Sequence, residues 1–543
     1  MEQKRPLLVK NGKIFTMNPE KPYLDNLLAI QGTICGVNLS EKEIQAVDNV
    51  EILDLGGRVC LPGFHDTHMH LLALGIARYR WIDLGTARSI DDLIDILRNS
   101  IVRRKIPKNS WVIGYGWNQE LFLEKRMPTK YDLDLVSKDH LIYVKRVCGH
   151  VGVCNSKLLR HCNITGGAYD NNVDIIRHPD GKPTGILAEQ ALNIVNALMP
   201  MPRQPDLESI ILKTCDYLSS LGLTTIETDD LSLWPNLDFS RQVIETFVRM
   251  REYGNLRVRI LEQVRVSSLD ELVRLLPVIR AVSQDEWFAI SGIKLVLDGS
   301  LGGLTAALRQ PYLNTKVLRG NLLFKDDELL EIGRICRENN LGIICHAIGD
   351  RAIDQFIRVI SGVYDTDDKP RPRLVHCQLC HKNQLEKLAA MGAALLIQPL
   401  FAVSDMDMVA SRIDWWQQEP VYGWKSMLNH GLVVAGGSDA PVEDASPIFG
   451  IDAAIYRRGP DEISTEPFKP EECLNLTEAV SLYTRWAADS ADRGSRFGML
   501  RQNYAADMVV LGAEMTHPEL RLRDLRVDRT ICGGTIMTQD LYF

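Results

Sequence analysis

The sequence predicts an α/β protein: a closed (β/α)8 TIM barrel with a smaller β domain formed by both termini. Through the middle of the chain, apolar strand-like runs alternate with amphipathic helical stretches, a pattern typical of a parallel α/β fold. Short β-rich runs separated by glycine turns occur at both ends, outside this alternation. We therefore expect residues 1–60 and 491–543 to form the β domain and residues 61–490 to form the barrel.

The terminal runs carry local turn signals. Asn11-Gly12 separates Leu7–Val9 from Ile14–Thr16, and this dipeptide is the strongest short hairpin signal, so a hairpin is expected there. Near the other end, Ala506–Leu511 and Val527–Gly534 have the same character and predict short strands.

Eight runs predict the barrel strands, and eight is the number that a closed (β/α)8 barrel requires. They are Val59–His70, Leu221–Glu227, Leu256–Leu261, Ile293–Asp298, Leu341–His346, Arg373–His376, Ala393–Gln398 and Leu432–Asp439. The first two runs lie much farther apart than a βα unit needs, which predicts an insertion at about 75–215 over the barrel mouth. Within it, Trp111–Trp117 and Leu141–Val144 are predicted strands.

Composition and charge narrow the function classes. The chain has 543 residues, 45% of them hydrophobic, and a formal charge of −8 without a block of basic residues, which argues against nucleic-acid or anionic-membrane partners. It has no run of 18 apolar residues and no signal-like apolar segment, so we expect a cytoplasmic protein. The expected partner is a small-molecule substrate, and a homodimer is the default for soluble enzymes.

Cysteine usage indicates reduced thiols. Twelve cysteines are scattered singly, mostly within apolar runs, as expected in a reducing compartment. The segment Cys377–His381 satisfies the C-x-x-C-H pattern of haem attachment and the C-x-x-C of zinc or redox sites. Neither use is supported, because the chain has no export signal and no second C-x-x-C.

Histidines at predicted strand ends indicate a metal site. His68 and His70 are two residues apart in an extended segment and therefore share a face. His346, His376 and Asp439 end the fifth, sixth and eighth runs, where barrel enzymes place catalytic groups. Imidazole and carboxylate ligands favour zinc, although manganese, iron or cobalt suit the same set. The alternative is that these are ordinary polar residues at strand ends.

Lys294 lies within an otherwise apolar run, where a buried ammonium is costly unless it is paired or neutralised. It is either a snorkelling or ion-paired lysine, or an amine with a pKa low enough to capture carbon dioxide as a carbamate that bridges two metal ions. Asp298, four residues on, either reaches the barrel mouth or caps the loop at Gly299-Ser300.

Longer motifs carry a family resemblance that spans Asn11-Gly12 to Gly533-Gly534. Besides Lys294 and His376, they are Pro62–His70, Gly116–Asn118, Gly149-His150 with Asn155-Ser156, Gly185 with Glu189, Asp298–Gly302, His346–Ala352 and Gly437–Val442. On these motifs the chain resembles the amidohydrolase superfamily and, more narrowly, amidohydrolase family three, the branch similar to N-substituted formamide deformylase.

The resemblance implies a metal-dependent barrel flanked by a composite β-sandwich. It also implies that His68, His70 and Asp439 hold a buried metal and that His346 and His376 hold a more exposed one. Carbamylated Lys294 would then bridge two zinc ions. The chain departs from the family pattern at two positions: Val375 stands where an acidic residue is usual, and Cys148 stands where an aspartate is common.

The implied function is hydrolysis of an amide-type C–N bond, as in an N-acyl or N-formyl amine, by a metal-activated hydroxide. Asp439 would pass the proton of the water to the departing amine. His150 is a candidate donor to the oxyanion, and Trp117 and Asn118 are candidate substrate contacts, although each has a plain packing or loop-bonding alternative. Other hypotheses are a deaminase or ester-type hydrolase on the same site and a catalytically silent scaffold, against which the complete ligand set argues.

Overall fold

The computed structural model describes residues 5–147, 149, 151–165, 169, 172–188, 191–231, 236–459, 467–513, 515 and 521–537. It comprises two compact units. The barrel unit consists of Met1–Leu71, Leu212–Ser232 and Arg241–Phe543, and the inserted unit consists of Leu72–Ile211 and Leu233–Ser240.

The strands are numbered along the chain in three groups. The terminal sheet and first barrel strand come first: β1 (Leu7–Phe15), β2 (Tyr23–Ile30), β3 (Thr33–Val37), β4 (Glu51–Asp54), β5 (Val59–Pro62) and β6 (Phe64–Met69). The inserted unit holds β7 (Ile82–Asp83), β8 (Trp111–Trp117), β9 (Leu141–Arg146), β10 (Val151–Cys154), β11 (Ile175–Arg177) and β12 (Pro183–Ala188). The other strands are β13 (Leu223–Thr228), β14 (Arg259–Arg265), β15 (Phe288–Val296), β16 (Ile343–Ala347), β17 (Arg373–His376), β18 (Ala394–Ile397), β19 (Val433–Gly436), β20 (Met508–Leu511), β21 (Val527–Cys532) and β22 (Thr535–Met537).

The helices are numbered in the same way. Up to the second barrel strand they are α1 (Glu41–Gln45), α2 (Leu71–Tyr79), α3 (Ile90–Arg103), α4 (Lys130–Val136), α5 (Ser156–His161), α6 (Leu192–Asn196) and α7 (Gln204–Ser220). Beyond it they are α8 (Leu237–Glu252), α9 (Leu269–Ala281), α10 (Asp326–Glu338), α11 (Asp350–Ile360), α12 (Lys382–Ala390), α13 (Pro399–Ser404), α14 (Met406–Arg412), α15 (Trp424–Asn429), α16 (Pro447–Tyr456), α17 (Leu476–Leu482) and α18 (Arg485–Ser490). Across the described part of the chain, every helix is too short or too polar to span a bilayer.

One sheet combines strands from both ends of the chain. Its order is β22-β21-β20-β5-β1-β2-β3, with β4 paired to β1. Its core draws on both termini, including Val9, Leu27, Met508 and Ile531. The predicted β domain of both termini is therefore confirmed.

The hairpin predicted at Asn11-Gly12 is wrong. Leu7–Phe15 forms one continuous strand, and its register with β2 shifts between Lys10 and Ile14 around Asn11, whose φ is +60°. The first half of β1 pairs with β4 and the second half with β5, so one strand serves two neighbours. The turn-forming dipeptide therefore makes a bulge instead of reversing the chain.

The barrel sheet has eight strands within the described residues, in the order β19-β18-β17-β16-β15-β14-β13-β6. Neighbouring strands run parallel. The two end strands meet, because the Thr67 hydroxyl donates to the Gly436 carbonyl oxygen at 3.0 Å and the Asp439 N–H donates to the His68 carbonyl oxygen at 2.8 Å. The (β/α)8 prediction is confirmed.

The first predicted run splits between two sheets. Val59–Pro62 is β5, which pairs with β20, and Phe64–Met69 is the first barrel strand. The chain changes sheets at Gly63, where a Cβ atom would lie 2.3 Å from Thr224 Cγ2. Only glycine permits this close approach.

An apolar cluster fills part of the barrel unit. Ile344, Val375, Leu396 and Ala435, from four consecutive barrel strands, pack with Ala487 of α18. Val375, which departs from the family pattern, therefore occupies an apolar position where a carboxylate would be costly to bury.

The inserted unit has its own sheet, in the order β11-β12-β10-β9-β8-β7. The two strands predicted there are β8 and β9, which pair in parallel from Trp111 opposite Leu141 onward. Buried side chains such as Leu93 and Leu97 of α3 pack with Val112 and Val144 of this sheet.

Candidate metal centre

Three predicted ligands converge where β6 and β19 end. His68, His70 and Asp439 each offer one ligand atom, and these atoms lie within 4.8 Å of one another. Asp439 Oδ1 is 3.0 Å from His70 Nε2 and 3.4 Å from His68 Nε2. Asp439 adopts φ +58°, a left-handed conformation that costs a non-glycine residue about 1–3 kcal/mol and is typical of functional sites.

Outer hydrogen bonds fix both imidazole rings. Gln263 Nε2 donates to the Thr67 carbonyl oxygen at 3.0 Å, so its Oε1 is the acceptor for His68 Nδ1–H at 2.9 Å. His70 Nδ1–H donates to the Asp229 carbonyl oxygen at 3.0 Å. In each ring Nε2 is then the nitrogen that faces Asp439, and it is the atom through which the ring would bind a metal.

Beneath these ligands lies a buried charge network centred on Glu227. Its Oε2 accepts from Arg373 Nη1 at 2.6 Å, from the Ser291 hydroxyl at 2.7 Å and from Gln263 Nε2 at 3.3 Å. Burial raises the pKa of Glu227, but the Arg373 guanidinium, His65 and the Ser291 hydroxyl together outweigh burial and lower the pKa to about 2. His65 Nε2 lies 3.6 Å from the other carboxylate oxygen.

Glu227, Gln263 and Arg373 were not among the predicted site residues. For Glu227 and Arg373 the available signal was a charged side chain at one end of an apolar predicted strand, similar to the signal that singled out Lys294. Gln263 lies beyond the third predicted run and carried no such signal. Together they form a polar chain from Arg373 through Glu227 and Gln263 to His68.

Lys294 lies beside the triad of His68, His70 and Asp439. Its side chain is buried, and Nζ is 3.1 Å from His68 Nε2. Burial lowers the pKa of Lys294 to about 8, with Asp229 and Asp439 opposing the change. Among the described residues no carboxylate lies within 4 Å of Nζ, so this amine is neutralised more easily than an ion-paired one.

His346 and His376 form a second imidazole pair at the ends of β16 and β17. Their ring centroids are 4.5 Å apart, and the His376 ring is 5.9 Å from that of His68. His346 Nε2–H donates to the Gly299 carbonyl oxygen at 3.3 Å, and the buried His376 Nδ1 has no hydrogen-bond partner in the described part of the chain. Burial lowers the pKa of His346 to about 3 and that of His376 far below its usual value. Both rings are therefore neutral, which suits metal ligation.

Asp298 caps the loops around this pair. Its carboxylate accepts from the backbone N–H groups of Ala307 and Gly349 at 2.8 Å and of Ile348 at 3.0 Å. The nearer oxygen is 3.6 Å from His346 Nε2. Burial raises the pKa of Asp298 to about 7. Asp298 thus ties the loop after β15 to the turn after β16 that follows His346.

Asp66 joins the two segments that carry the triad. Its carboxylate accepts from the backbone N–H of His68 at 3.0 Å and from that of Ser438 at 3.1 Å. Burial raises the pKa of Asp66 to about 7. No local sequence pattern indicates this bridge, since Asp66 and Ser438 are 372 positions apart.

The proposed substrate residues belong to the inserted unit or are not described. Trp117 is buried, and the Asn118 side-chain oxygen accepts from Glu120 N and Arg146 Nη2, both at 3.1 Å. Asn118 therefore orders its loop, and its contact with substrate stays a prediction. His150, like Cys148, lies outside the described residues.

The Cys377–His381 segment gives no metal site of its own. Cys377 and Cys380 are buried. His381 Nε2 is 3.0 Å from Asp350 Oδ2, and its Nδ1 is 3.2 Å from Glu419 Oε1. Both ring nitrogens of His381 are therefore engaged by carboxylates.

Comparison with known proteins gives concordant matches. A family model described as "Amidohydrolase family" matches residues 51–538. The chain is 28% identical over 530 residues to the putative amidohydrolase YtcJ of Bacillus subtilis, covering 97% of this chain and 98% of that one. It is 25% identical over 561 residues to the N-substituted formamide deformylase of Arthrobacter pascens, with 99% of each covered. The crystal structure of an uncharacterized metal-dependent hydrolase from Pyrococcus horikoshii OT3 superposes with a TM-score of 0.80 at 26% identity, covering 96% of this chain and 99% of that one.

Proposed function

The chain belongs to the amidohydrolase family, and from that premise we propose that it hydrolyses an amide-type C–N bond of a small molecule, such as an N-acyl or N-formyl amine. The observation that carries the proposal is the convergence of His68, His70 and Asp439 on one point at the carboxyl edge of the barrel. The relative named N-substituted formamide deformylase supports the choice of bond.

The residues present fit a divalent metal. His68 and His70 each present an Nε2 whose ring partner nitrogen is already hydrogen-bonded, which is the usual arrangement around ligating histidines. The proposed ion is zinc, held by these two and Asp439, with a second ion held by His346 and His376. Manganese, iron or cobalt would fit the same donors.

Lys294 would complete a two-metal centre as a carbamate. Its buried amine, with a pKa of about 8, is partly neutral near pH 7, and only the neutral amine attacks carbon dioxide. The new N–C bond forms with loss of one proton from the nitrogen. The two carboxylate oxygens so created would serve both ions.

A metal bound at this centre would acidify a water to near-neutral pKa and polarise the substrate carbonyl. The Asp439 carboxylate would accept the proton of the attacking water and return it to the leaving nitrogen, because an amine departs readily only when protonated. Asp66 and Gln263 would hold Asp439 and His68 in place throughout.

The test begins with metal content measured by plasma mass spectrometry on wild type, His70→Ala and the control His430→Ala, whose imidazole is exposed. We expect two ions per wild-type chain, a loss in His70→Ala and none in the control. A panel of N-formyl and N-acyl amines is then assayed for the acid and the amine. Metal-free wild type, or unchanged metal in His70→Ala, would contradict the proposal, and ammonia released from a ring substrate would favour a deaminase.

A further inference from the structure

Arg265 ends β14 at the same edge of the barrel as the ligands. Gln263 faces the barrel interior, since its side chain bonds His68, and residues two apart on a strand share a face. Arg265 therefore faces the interior as well, and the strand register places it opposite Lys294. Burial is the largest cause that lowers the pKa values of Lys294 and His346, and the positive charge of Arg265 is a further, smaller cause. The guanidinium thus lies at the mouth beside the proposed metal centre.

The Arg265 guanidinium is largely unsatisfied by protein. Its side chain is 39% exposed, and within the described residues the carboxylate within 4 Å is that of Asp229, with Oδ2 at 3.9 Å from Nη1. That distance is too long for a hydrogen bond, so most of the five N–H donors of the guanidinium are open to another partner.

Arg259, at the other end of the same strand, has a structural role that Arg265 lacks. It is fully buried and donates to Asp507 Oδ1 at 3.1 Å. Its guanidinium also stacks over the Trp287 ring at 4.5 Å. A second arginine on β14 is therefore not needed to anchor the strand.

We propose that Arg265 is a specificity residue that binds a carboxylate of the substrate, so that the preferred substrates are N-acyl or N-formyl amines bearing that group. This inference rests on the proposed function. The planar guanidinium matches a carboxylate with two parallel N–H···O bonds, a geometry that lysine cannot reproduce. The bond to be cleaved and the anchoring group are then held at one mouth.

The test compares N-acyl and N-formyl amino acids with their carboxamides, which keep the scissile bond and remove the charge. Kinetics are measured for wild type, Arg265→Gln, Arg265→Lys and Arg257→Gln. Arg257 is a matched control: it lies just before β14, its side chain is 53% exposed, and its Nε is 3.8 Å from Asp216 Oδ1. Arg265→Gln should lower kcat/KM for the acids about 10- to 100-fold, mainly through KM, the effect of losing a charge-assisted hydrogen bond. For the carboxamides, kcat/KM should change less than about twofold. Arg265→Lys should retain part of the activity that Arg265→Gln loses on the acids, and Arg257→Gln should match wild type.

An equal loss for acids and carboxamides would overturn the proposal, because Arg265 would then act only by positioning Asp229. Calorimetric binding of the same acids and carboxamides gives a readout that needs no turnover. A preference for the acids that disappears in Arg265→Gln supports the anion site even if no C–N bond is cleaved, in which case the proposed function alone fails. Absence of any such preference in wild type overturns the inference.

Discussion

Replacing Arg373 by methionine should destabilise the barrel unit strongly, because it leaves Glu227 buried without its counter-charge. The pKa of Glu227 is about 2 against an ordinary 4.5, and a tenfold change in that equilibrium is about 1.4 kcal/mol, so the paired state contributes about 3 kcal/mol at neutral pH. Removing one partner of a buried pair typically costs about 3–5 kcal/mol. We expect Arg373→Met to lose an amount in this range.

The assay is urea unfolding at pH 7, reported as the change in free energy of the first cooperative transition. The double variant Glu227→Gln/Arg373→Met should lose less than Arg373→Met alone, since no unpaired charge remains. The control is Arg358→Met, because Arg358 is 55% exposed and its ion pair with Asp326 is worth less than about 1 kcal/mol.

The pH dependence gives an independent check on this pair. A lowered pKa stabilises wild type fully above pH 4.5, and this contribution is lost as the pH falls toward 2. In Arg373→Met, the largest of the causes that oppose burial is gone, so Glu227 takes up its proton at higher pH. The stability gap between the two proteins should therefore narrow from pH 7 to pH 4.5. A loss below about 1 kcal/mol at pH 7, or a gap independent of pH, would refute the reasoning.

Three further predictions concern the metal centre. Asp439→Asn should keep the fold and much of the metal but lower turnover about 100-fold or more, and retained turnover would remove Asp439 from proton transfer. Gln263→Leu should weaken metal affinity about 10- to 100-fold in chelator competition, because His68 loses its orienting bond, whereas the buried control Gln355→Leu should not. Burial lowers the pKa of His70, but contact with Asp439 outweighs it and raises the pKa to about 9. The stabilisation that this ion pair contributes is fully present below pH 6.5 and is lost as the pH rises through 9. Metal binding at pH 7 should therefore release a proton from His70, and metal affinity should increase as the pH rises to 9. Calorimetry in two buffers of different ionisation enthalpy measures this proton, and its absence would show that His70 is already neutral.

Local sequence patterns determined the barrel and predicted the candidate ligands. Alternating runs fix strand number and direction, and the carboxyl ends of parallel strands share one rim. His68, His346 and Asp439 could therefore be placed together although they are far apart in the chain. The hairpin prediction at Asn11-Gly12 was wrong, because the pairing of β1 with both β4 and β5 outweighed the local turn preference of this dipeptide.

Only the tertiary structure decided how the ligands are held. Glu227 and Arg373 are 146 positions apart, and their contact depends on which strands become neighbours across the barrel and in what register. The positions of Gln263 beside His68 and of Arg265 at the barrel mouth also depend on the tertiary structure. Side chains alternate between the two faces of a strand, so one observed inward contact is needed to tell which residues of β14 face the interior. A single sequence specifies which chemical groups are present at strand ends. The hydrogen bonds that set the tautomers, the charges and the exposed atoms of these groups arise from long-range packing.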